Sequence, residues 1–191
     1  MPVLTGPALP EGALRDRSQP TLPVDDGLLL RPWTPADADA VRAAFACPDI
    51  QRWHVRRIDS ADEAAAWVET WPLRWRAETD ASWAVAEGDR VVGQVGLRTV
   101  DLVEGSARVS YWVVPDARGA SVAPRAARAL TAWVFDDLKL HRLYLDHSTA
   151  NTASCRVATK AGFTPEGTLR GAGLHADGWH DMHLHSRLRT D

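Results

Sequence analysis

The sequence predicts an α/β fold in which a mixed, mostly antiparallel sheet of about seven strands carries helices on both faces. Two observations lead to this prediction. Three strand-like segments follow one another closely between residues 83 and 113, as in an antiparallel meander. A helical pattern from Val122 then separates the last of them from another short strand, which indicates one βαβ unit with parallel strands. The predicted order of elements is β-α-α-β-β-β-α-β-α-β-β.

The first three elements are predicted from apolar residues and from helix-start signals. Residues 28–32 form an apolar strand. A helix capped by Thr34 follows and runs to about residue 47. A second helix starts at the capping box Ser60–Glu63 and continues to about residue 76. Pro72 lies inside this helix and is expected to kink it or split it in two.

The remaining elements follow from the same two periodicities and from turn residues. They are, in order, a hairpin of strands 83–87 and 90–97 around Gly88-Asp89, a strand at 107–113, a helix at 122–138, a strand at 142–145, a helix at 152–161 closed by Gly162, and a hairpin of strands 168–174 and 181–188 that turns at Asp177-Gly178.

The composition is that of an ordinary globular protein. The formal net charge is -3, so nothing indicates binding to nucleic acid or to an anionic membrane surface. Cys47 and Cys155 lie too far apart in sequence for a disulfide framework or a zinc motif, and we expect them to stay reduced in the cytoplasm. No apolar run approaches the roughly 20 residues that a membrane span needs.

Residues 1–26 form a proline-rich leader, and residues 27–191 are predicted to form one domain. The leader lacks the basic start and the long apolar stretch of a secretory signal. Two interpretations stay open, a poorly ordered segment or an arm that packs on the other subunit of a homodimer.

Five of the nine tryptophans fall into two groups. Trp67, Trp71 and Trp75 recur every four residues, which places them on one face of the second helix and predicts a role in the core. Trp33 and Trp53 fall outside this periodicity and are candidates for lining a pocket.

The most informative segment is residues 118–123. An apolar strand stops at Pro115, an Arg-Gly turn follows at 118–119, and a helix begins at Val122. Such a turn directs several free backbone N–H groups and the positive end of a helix dipole toward one point, which suits a phosphate group. The sequence therefore predicts an anion-binding loop.

Five motifs occur in order around this loop. They are Tyr111-Trp112 in a strand, Arg118-Gly119 in the turn, Asn151-x-x-Ser154 at a helix start, Gly162-Phe163, and Glu166-Gly167-x-x-Arg170. With these motifs the chain resembles the GNAT superfamily of acyltransferases from about residue 28 to residue 188, and within it the branch that contains the ribosomal-protein N-terminal acetyltransferases. The resemblance implies an enzyme that moves an acetyl group from acetyl-CoA to a primary amine by direct attack. The acceptor is a small molecule or a protein N-terminus, and the chemistry needs no metal.

The resemblance also implies where acetyl-CoA binds. The strand at 111–114 splays from the strand at 142–145, and the pantetheine arm lies in the V-shaped gap between them. The implied cofactor-binding residues are Val113, Val114, Arg118, Gly119, Ala120, Ser121, Val122, Ala123, Asn151 and Ser154. Of these, the Val114 N–H is the candidate donor to the thioester carbonyl oxygen. The Ser154 hydroxyl is the candidate acid that protonates the leaving thiolate.

Two features depart from the family's pattern. Ser121 replaces a glycine of the loop. In the family this residue begins the helix with helical dihedral angles, so we expect only a modest loss of fit. The glutamates that often occur in related sequences are replaced by Arg108 and Gly173. The general base is therefore left open among Asp101, Glu104, Asp146, His54, His147 and Asp181.

The candidate residues of the acceptor site are Trp33, Trp53, His54, Arg108 and Asp181. If Arg108 faces the pocket, it favours a carboxylate-bearing acceptor or a dicarboxylic acyl group such as that of succinyl-CoA. A metal site among His175, His180, His183 and His185 is not expected, since no cysteine or carboxylate cluster in the sequence supports one.

Two rival functions are weighed against the acetyltransferase. A CoA-binding sensor or interaction module that has lost catalysis would account for Ser121 and the missing glutamate. A dinucleotide-binding oxidoreductase is disfavoured because no Gly-x-Gly-x-x-Gly motif follows the first strand.

Overall fold

The sheet in the computed structural model, which describes residues 5–191, has eight strands. They are β1 (Leu22–Pro23), β2 (Leu28–Pro32), β3 (Ala81–Glu87), β4 (Arg90–Asp101), β5 (Ser106–Val113), β6 (Arg142–Ser148), β7 (Thr164–His175) and β8 (Gly178–Leu188). The helices are α1 (Ala38–Phe45), α2 (Pro48–His54), α3 (Ala61–Arg76), α4 (Val122–Trp133) and α5 (Thr152–Lys160). A π turn, Val134–Leu138, extends α4. Within residues 5–191, no helix has both the length and the apolar character that a membrane crossing requires.

The order of strands across the sheet is β1-β2-β3-β4-β5-β6-β8-β7, and the predicted mixed topology is confirmed. Strands β5 and β6 are the parallel pair among the described residues, and the other neighbours run antiparallel. In the described chain, β5 and β6 pair over Ser106–Arg108 and Arg142–Tyr144 alone. Beyond these residues β5 stays bonded to β4 and β6 stays bonded to β8. The two central strands therefore splay into a V-shaped gap.

Helices cover both faces of the sheet, as predicted. On one face, Trp83 of β3 is fully buried against Trp75 and against Trp133 of α4. On the other face, Trp112 of β5 packs with Phe45 of α1. The alternation of side chains along each strand separates these two cores. Trp67, Trp71 and Trp75 are all buried, so their predicted role in the core is confirmed.

Several boundaries differ from those predicted. Pro48 does not simply follow a helix end but opens α2, because proline fits the first position of a helix, where its missing N–H costs nothing. Helix α3 continues through Pro72 to Arg76 without a split, and the proline lies on its exposed face. Strand β6 extends to Ser148 and so carries three more polar residues into the gap region than the prediction gave it.

The N-terminal segment, residues 5–26, packs on its own chain. Leu9 and Leu14 are buried in the core on the α4 side of the sheet. The carboxylate of Glu78, just after α3, accepts hydrogen bonds from the N–H groups of Gly12 at 2.8 Å and Leu14 at 2.7 Å. The sequence predicted a poorly ordered leader or an arm on a second subunit, but the apolar side chains of this segment cover their own sheet. Residues 1–4 of the predicted leader lie outside the described residues.

Replacing Glu78 with glutamine is expected to lower the free energy of unfolding by about 1–2 kcal/mol, because its charge-assisted bonds to buried backbone N–H groups weaken. Burial raises the pKa of Glu78, but the backbone N–H donors outweigh it and hold the pKa below its ordinary value. The carboxylate therefore stabilises the fold above an unfolded pKa of about 4.3, and this contribution is lost as the pH falls through the folded pKa.

Urea unfolding at pH 7 and at pH 3 measures the effect of Glu78→Gln. The difference in free energy of unfolding between the parent protein and the variant should be smaller at pH 3 than at pH 7. An equal difference at both pH values would contradict the role assigned to the ionised carboxylate.

Candidate functional site

The gap between β5 and β6 opens into a cavity of about 920 Å³, a volume that suits a small-molecule ligand. One wall is β5 from Val109 to Val113, and the facing wall is β6 from Leu145 to Ser148. The first turns of α4 and α5 complete the lining. The splay of the sheet thus creates a concave surface lined by both central strands and by the starts of two helices.

The start of α4 leaves backbone donors free beside the cavity. The N–H groups of Gly119, Val122 and Ala123 make no hydrogen bond within residues 5–191, and all three residues line the cavity. The third residue of the helix is Pro124, which has no N–H to satisfy. These donors and the positive end of the α4 dipole form the arrangement that binds a phosphate anion.

Ser121 adopts a conformation that the sequence analysis did not expect. It is the N-cap of α4, with φ 57 and ψ 27, in the left-handed region, and its hydroxyl caps no helix N–H. The expected right-handed helical dihedral angles are therefore wrong. The chain has to reverse between the turn at 118–120 and the axis of α4, and a left-handed residue makes this reversal in one step. Glycine adopts the left-handed conformation without a steric penalty, whereas serine adopts it at a steric cost.

Replacing Ser121 with glycine is expected to raise the free energy of unfolding by roughly 0.5–1 kcal/mol. Relief of the left-handed strain gains about 1–2 kcal/mol, and the added freedom of the unfolded chain takes back about 0.4–1 kcal/mol. Ala120→Gly is the matched control, since Ala120 does not have a positive φ and should lose stability instead. Urea unfolding of both variants checks the prediction, and a shift of the same sign in the two would contradict it.

The backbone of β5 corrects the predicted oxyanion donor. The Val114 N–H donates to Val92 O at 3.0 Å, across the pair with β4, so it is not free to donate to a thioester. Because N–H groups alternate in direction along an antiparallel strand, those of Tyr111 and Val113 point the other way, into the gap. The carbonyl of Tyr111 confirms this direction, since it bonds the His54 ring from the cavity side at 3.0 Å.

Ser154, at the start of α5, forms a hydrogen-bonded pair with a second hydroxyl group. Its Oγ lies 2.6 Å from the hydroxyl of Tyr111, and either oxygen is able to donate. Burial raises the pKa of Tyr111 to about 12, against a smaller opposite effect from Ser154, so the phenol keeps its proton at neutral pH. Sequence reasoning used Tyr111 only as part of a motif and missed this role. Its position on a strand facing the gap, opposite the Asn-x-x-Ser helix start, is the signal that could have found it.

Two other predicted cofactor residues have structural partners as well as cavity exposure. Asn151 caps α5, and its Oδ1 accepts from the Ser154 N–H at 3.1 Å, which leaves its amide NH₂ for a ligand. Arg118 donates to Asp49 of α2 at 2.7 Å and to Val113 O at 3.3 Å. Both residues line the cavity while holding its walls in place.

The acceptor region is defined here by Trp53, His54, Arg108, Asp146 and His175, which line the same cavity. Arg108 pairs with Asp146 at 3.3 Å, so the guanidinium already has a carboxylate partner. Burial lowers the pKa of His54 to about 4, and the ring is neutral at physiological pH. Its Nε2 faces the Tyr111 carbonyl and therefore carries the hydrogen, which leaves Nδ1 as an acceptor.

His175 was missed as a candidate base. Its Nδ1 lies 3.2 Å from Arg52 O, and the ring packs edge-on against Trp53. The other ring nitrogen bonds no described residue, and His175 lines the cavity. Because β7 brings this residue in from a distant part of the sequence, no local motif marked it.

Several predicted site residues do not line the cavity. Trp33 is buried in the core, where its indole donates to Ser82 Oγ at 3.0 Å, because a tryptophan beside the sheet finds both apolar cover and a partner there. Asp181 accepts from the Gly171 N–H at 2.8 Å and so orients the β7–β8 hairpin. Asp101 ends β4 and Glu104 lies on the turn that follows it, and both residues are exposed. Of the predicted bases, His54, Asp146 and His147 remain beside the cavity.

A family described as the acetyltransferase (GNAT) domain matches residues 27–164 of this chain. An uncharacterized N-acetyltransferase of Bacillus subtilis, YoaA, is 26% identical over 148 residues, which are 76% of this chain and 84% of that protein. The ribosomal-protein-serine acetyltransferase of Escherichia coli is 25% identical over 100 residues, which are 52% of this chain and 56% of that protein. The chain therefore matches little more than half the length of this second relative.

The fold also matches solved structures. RimL, a ribosomal L7/L12 alpha-N-protein acetyltransferase in complex with coenzyme A, superposes with a TM-score of 0.79 at 19% identity. The match covers 88% of this chain and 98% of RimL. At this identity the likeness shows the fold alone.

Proposed function

The chain belongs to the acetyltransferase (GNAT) family, and on this basis we propose that it transfers an acetyl group from acetyl-CoA to a primary amine. The favoured acceptor is the α-amino group of a protein or peptide N-terminus. The observation that carries the proposal is one cavity bordered by the free N–H groups of α4, by the splayed strands β5 and β6, and by the Tyr111–Ser154 pair.

The residues of this cavity have distinct parts in the reaction. Acetyl-CoA supplies the reactive thioester, and the start of α4 holds its pyrophosphate. The N–H groups of Tyr111 and Val113 are the candidate donors to the carbonyl oxygen as negative charge develops on it. Ser154 gives its proton to the departing sulfur, and Tyr111 donates a hydrogen bond to Ser154 Oγ as that proton leaves. The proton that the amine loses passes through solvent in the cavity and restores the Ser154 hydroxyl. The amine thus loses one proton, the sulfur gains one, and the reaction needs no other reactant.

The bases in the acceptor region favour an α-amine over an alkylamine. At pH 7 an α-amino group with a pKa of about 7.7–8.0 is neutral in roughly one molecule in ten, whereas a lysine-like amine with a pKa of about 10.4 is neutral in roughly one in 2,500. Burial lowers the pKa of His54 to about 4, so its imidazole is a far weaker base than an alkylamine, and the carboxylate of Asp146 is paired with Arg108. An acceptor amine that is already partly neutral at pH 7 needs no strong base, and such an amine fits this site.

Two further points support the choice of acceptor and acyl group. Relatives named as acetyltransferases of ribosomal proteins act on protein substrates by their names, which supports a protein N-terminus here. Small amines of similar basicity stay as the alternative acceptors. A dicarboxylic acyl group such as that of succinyl-CoA is less favoured, because Arg108 already binds Asp146 at 3.3 Å.

We expect the pH dependence of kcat/KM to follow the acceptor amine. With a peptide α-amine the rate should rise with pH and level off near about pH 8, and with an alkylamine it should rise log-linearly to about pH 9 or beyond. Burial holds the pKa of His54 at about 4, so its ring is neutral above about pH 5 and adds no inflection. Initial rates on one peptide and one alkylamine from pH 5.5 to 9.5 test this. The same inflection for both acceptors would contradict it.

The proposed function is tested by ligand binding and by turnover. Acetyl-CoA should raise the melting temperature of the protein more than succinyl-CoA does, and NAD should not raise it. Thiol release from acetyl-CoA is then measured over a panel of peptides and small amines. Release with a peptide bearing a free N-terminus, and none with its N-blocked form, supports the proposal. Stabilisation by acetyl-CoA without release on any amine supports the non-catalytic sensor, and no stabilisation by either CoA ester contradicts both.

A further inference from the structure

The proposed acyl transfer assigns no step to a group of four side chains at the β6 wall of the cavity, although one of them, His147, also lines the cavity. His147 of β6, His183 and His185 of β8, and Cys155 of α5 each offer one ligand atom, and these atoms all lie within 4.8 Å of one another. A metal site was not expected at the C-terminal histidines because no cysteine or carboxylate cluster in the sequence supports one. The fold brings Cys155 to them from a distant helix.

The sheet register explains why three imidazoles meet. His147 lies directly opposite His183 in the antiparallel pair of β6 and β8. His185 is two residues further along β8 and so projects from the same face. Helix α5 begins just after β6 and places Cys155 of its first turn over this face. The cysteine is free and does not line the cavity, unlike its neighbour Ser154.

The geometry within the group is that of metal ligands. His147 Nε2 and His185 Nε2 lie 3.3 Å apart. Two imidazole nitrogens on one tetrahedral Zn²⁺ lie about 3.3 Å apart, and a nitrogen and a thiolate sulfur about 3.6 Å, given the usual bond lengths to the ion. The other ligand atoms of the group lie within 4.8 Å of one another. Side-chain movements that shift these atoms by about 1 Å would bring them to the separations found around Zn²⁺.

Hydrogen bonding leaves the ring nitrogens oriented for a ligand. His147 Nδ1 lies 2.9 Å from Ser148 O, so Nδ1 carries the hydrogen and the lone pair of Nε2 points into the group. His185 is 2% exposed, and its Nε2 faces the Nε2 of His147. An ion placed between these two buried nitrogens would accept a lone pair from each ring.

We propose that His147, His183, His185 and Cys155 form a binding site for a divalent transition-metal ion of the Zn²⁺ type. Three imidazoles and one thiolate are the nitrogen and sulfur ligands that this ion prefers. Four protein ligands leave no position for substrate, which is the pattern of a structural site. The ion would tie the first turn of α5, which carries Ser154, to strands β6 and β8.

The test uses the full chain without an affinity tag, reduced and freed of metal by a chelator. Titration with Co²⁺ should give one equivalent of tetrahedral d–d absorption together with a thiolate-to-cobalt charge-transfer band, and Zn²⁺ should displace both signals. Cys155→Ser should abolish the charge-transfer band, and His183→Asn should weaken the d–d absorption. Each should lower the affinity for Zn²⁺ by at least about 100-fold, since loss of a direct ligand exceeds the 10–100-fold effect of losing an outer partner.

Matched controls come from the same residue types outside the group. Cys47→Ser and His141→Asn should bind Co²⁺ and Zn²⁺ as the parent chain does, because neither residue belongs to the group and His141 is exposed. Thermal unfolding verifies that each variant is folded. A parent chain without the charge-transfer band, or a band that survives Cys155→Ser, would overturn the proposal. Retention of Zn²⁺ affinity by folded His183→Asn would overturn it equally.

Discussion

Ser154→Ala and Tyr111→Phe are each expected to lower kcat by about 10- to 100-fold while leaving the affinity for acetyl-CoA nearly unchanged. Each change removes one of the two hydroxyl groups that lie 2.6 Å apart beside the cavity. A positioned general acid contributes about 10²–10⁴-fold, and a thiolate of ordinary pKa leaves tolerably without one, so the effect should fall at or below the lower end of that range. Single-turnover measurement of thiol release separates this chemical step from binding and product release.

The double variant gives the sharper result. If Tyr111 acts by supporting the Ser154 hydroxyl, the two residues work as a unit, and Ser154→Ala with Tyr111→Phe should be no slower than the worse single variant. Independent roles would instead multiply the two losses. Tyr144→Phe is the matched control, because Tyr144 contacts Thr99 outside the cavity and should keep the parent kcat. Full activity of Ser154→Ala would remove this residue from the acid role and leave water as the donor.

The turn before α4 and its free N–H groups were predictable from the sequence because they are local features, and their role in binding an anion stays a prediction. A strand that stops at Pro115 and a helix that starts at Val122 determine where the free N–H groups point, whatever the rest of the chain does. The φ of Ser121 was not predictable in the same way. It depends on the angle between β5 and α4, which is set by the packing of α4 on the sheet.

Contacts between distant segments were predicted less well. The Val114 N–H was assigned to the thioester because a motif gives a position along a strand but not the side on which that residue pairs, and the register with β4 decides that side. Trp33 and Trp53 look alike in sequence, yet one lies in the core and the other lines the cavity. His175 and Cys155 acquire their neighbours only when β7, β8 and α5 come together.

Ser121→Asp is expected to weaken the binding of acetyl-CoA by about 100-fold without destabilising the free protein. The residue occupies the N-cap position of α4, next to the free N–H groups of Val122 and Ala123. A carboxylate there would sit beside a pyrophosphate carrying about two negative charges. At a separation of about 5 Å and an effective dielectric constant of roughly 40–80, the repulsion amounts to about 2–3 kcal/mol. The same charge interacts favourably with the dipole of α4 in the free protein, by about 0.3–1 kcal/mol.

Ser121→Asn separates charge from shape, since asparagine matches aspartate in size and also tolerates the left-handed backbone. We expect Ser121→Asn to bind acetyl-CoA within a few-fold of the parent chain and Ser121→Asp to bind it far more weakly. The difference should narrow in high salt, because the site is open to solvent. Isothermal titration calorimetry of both variants with acetyl-CoA and with pantetheine measures these affinities. Pantetheine lacks the pyrophosphate, so both variants should bind it equally. A loss of pantetheine affinity confined to Ser121→Asp would mean that the residue contacts another part of the cofactor, and the start of α4 would no longer be the pyrophosphate site.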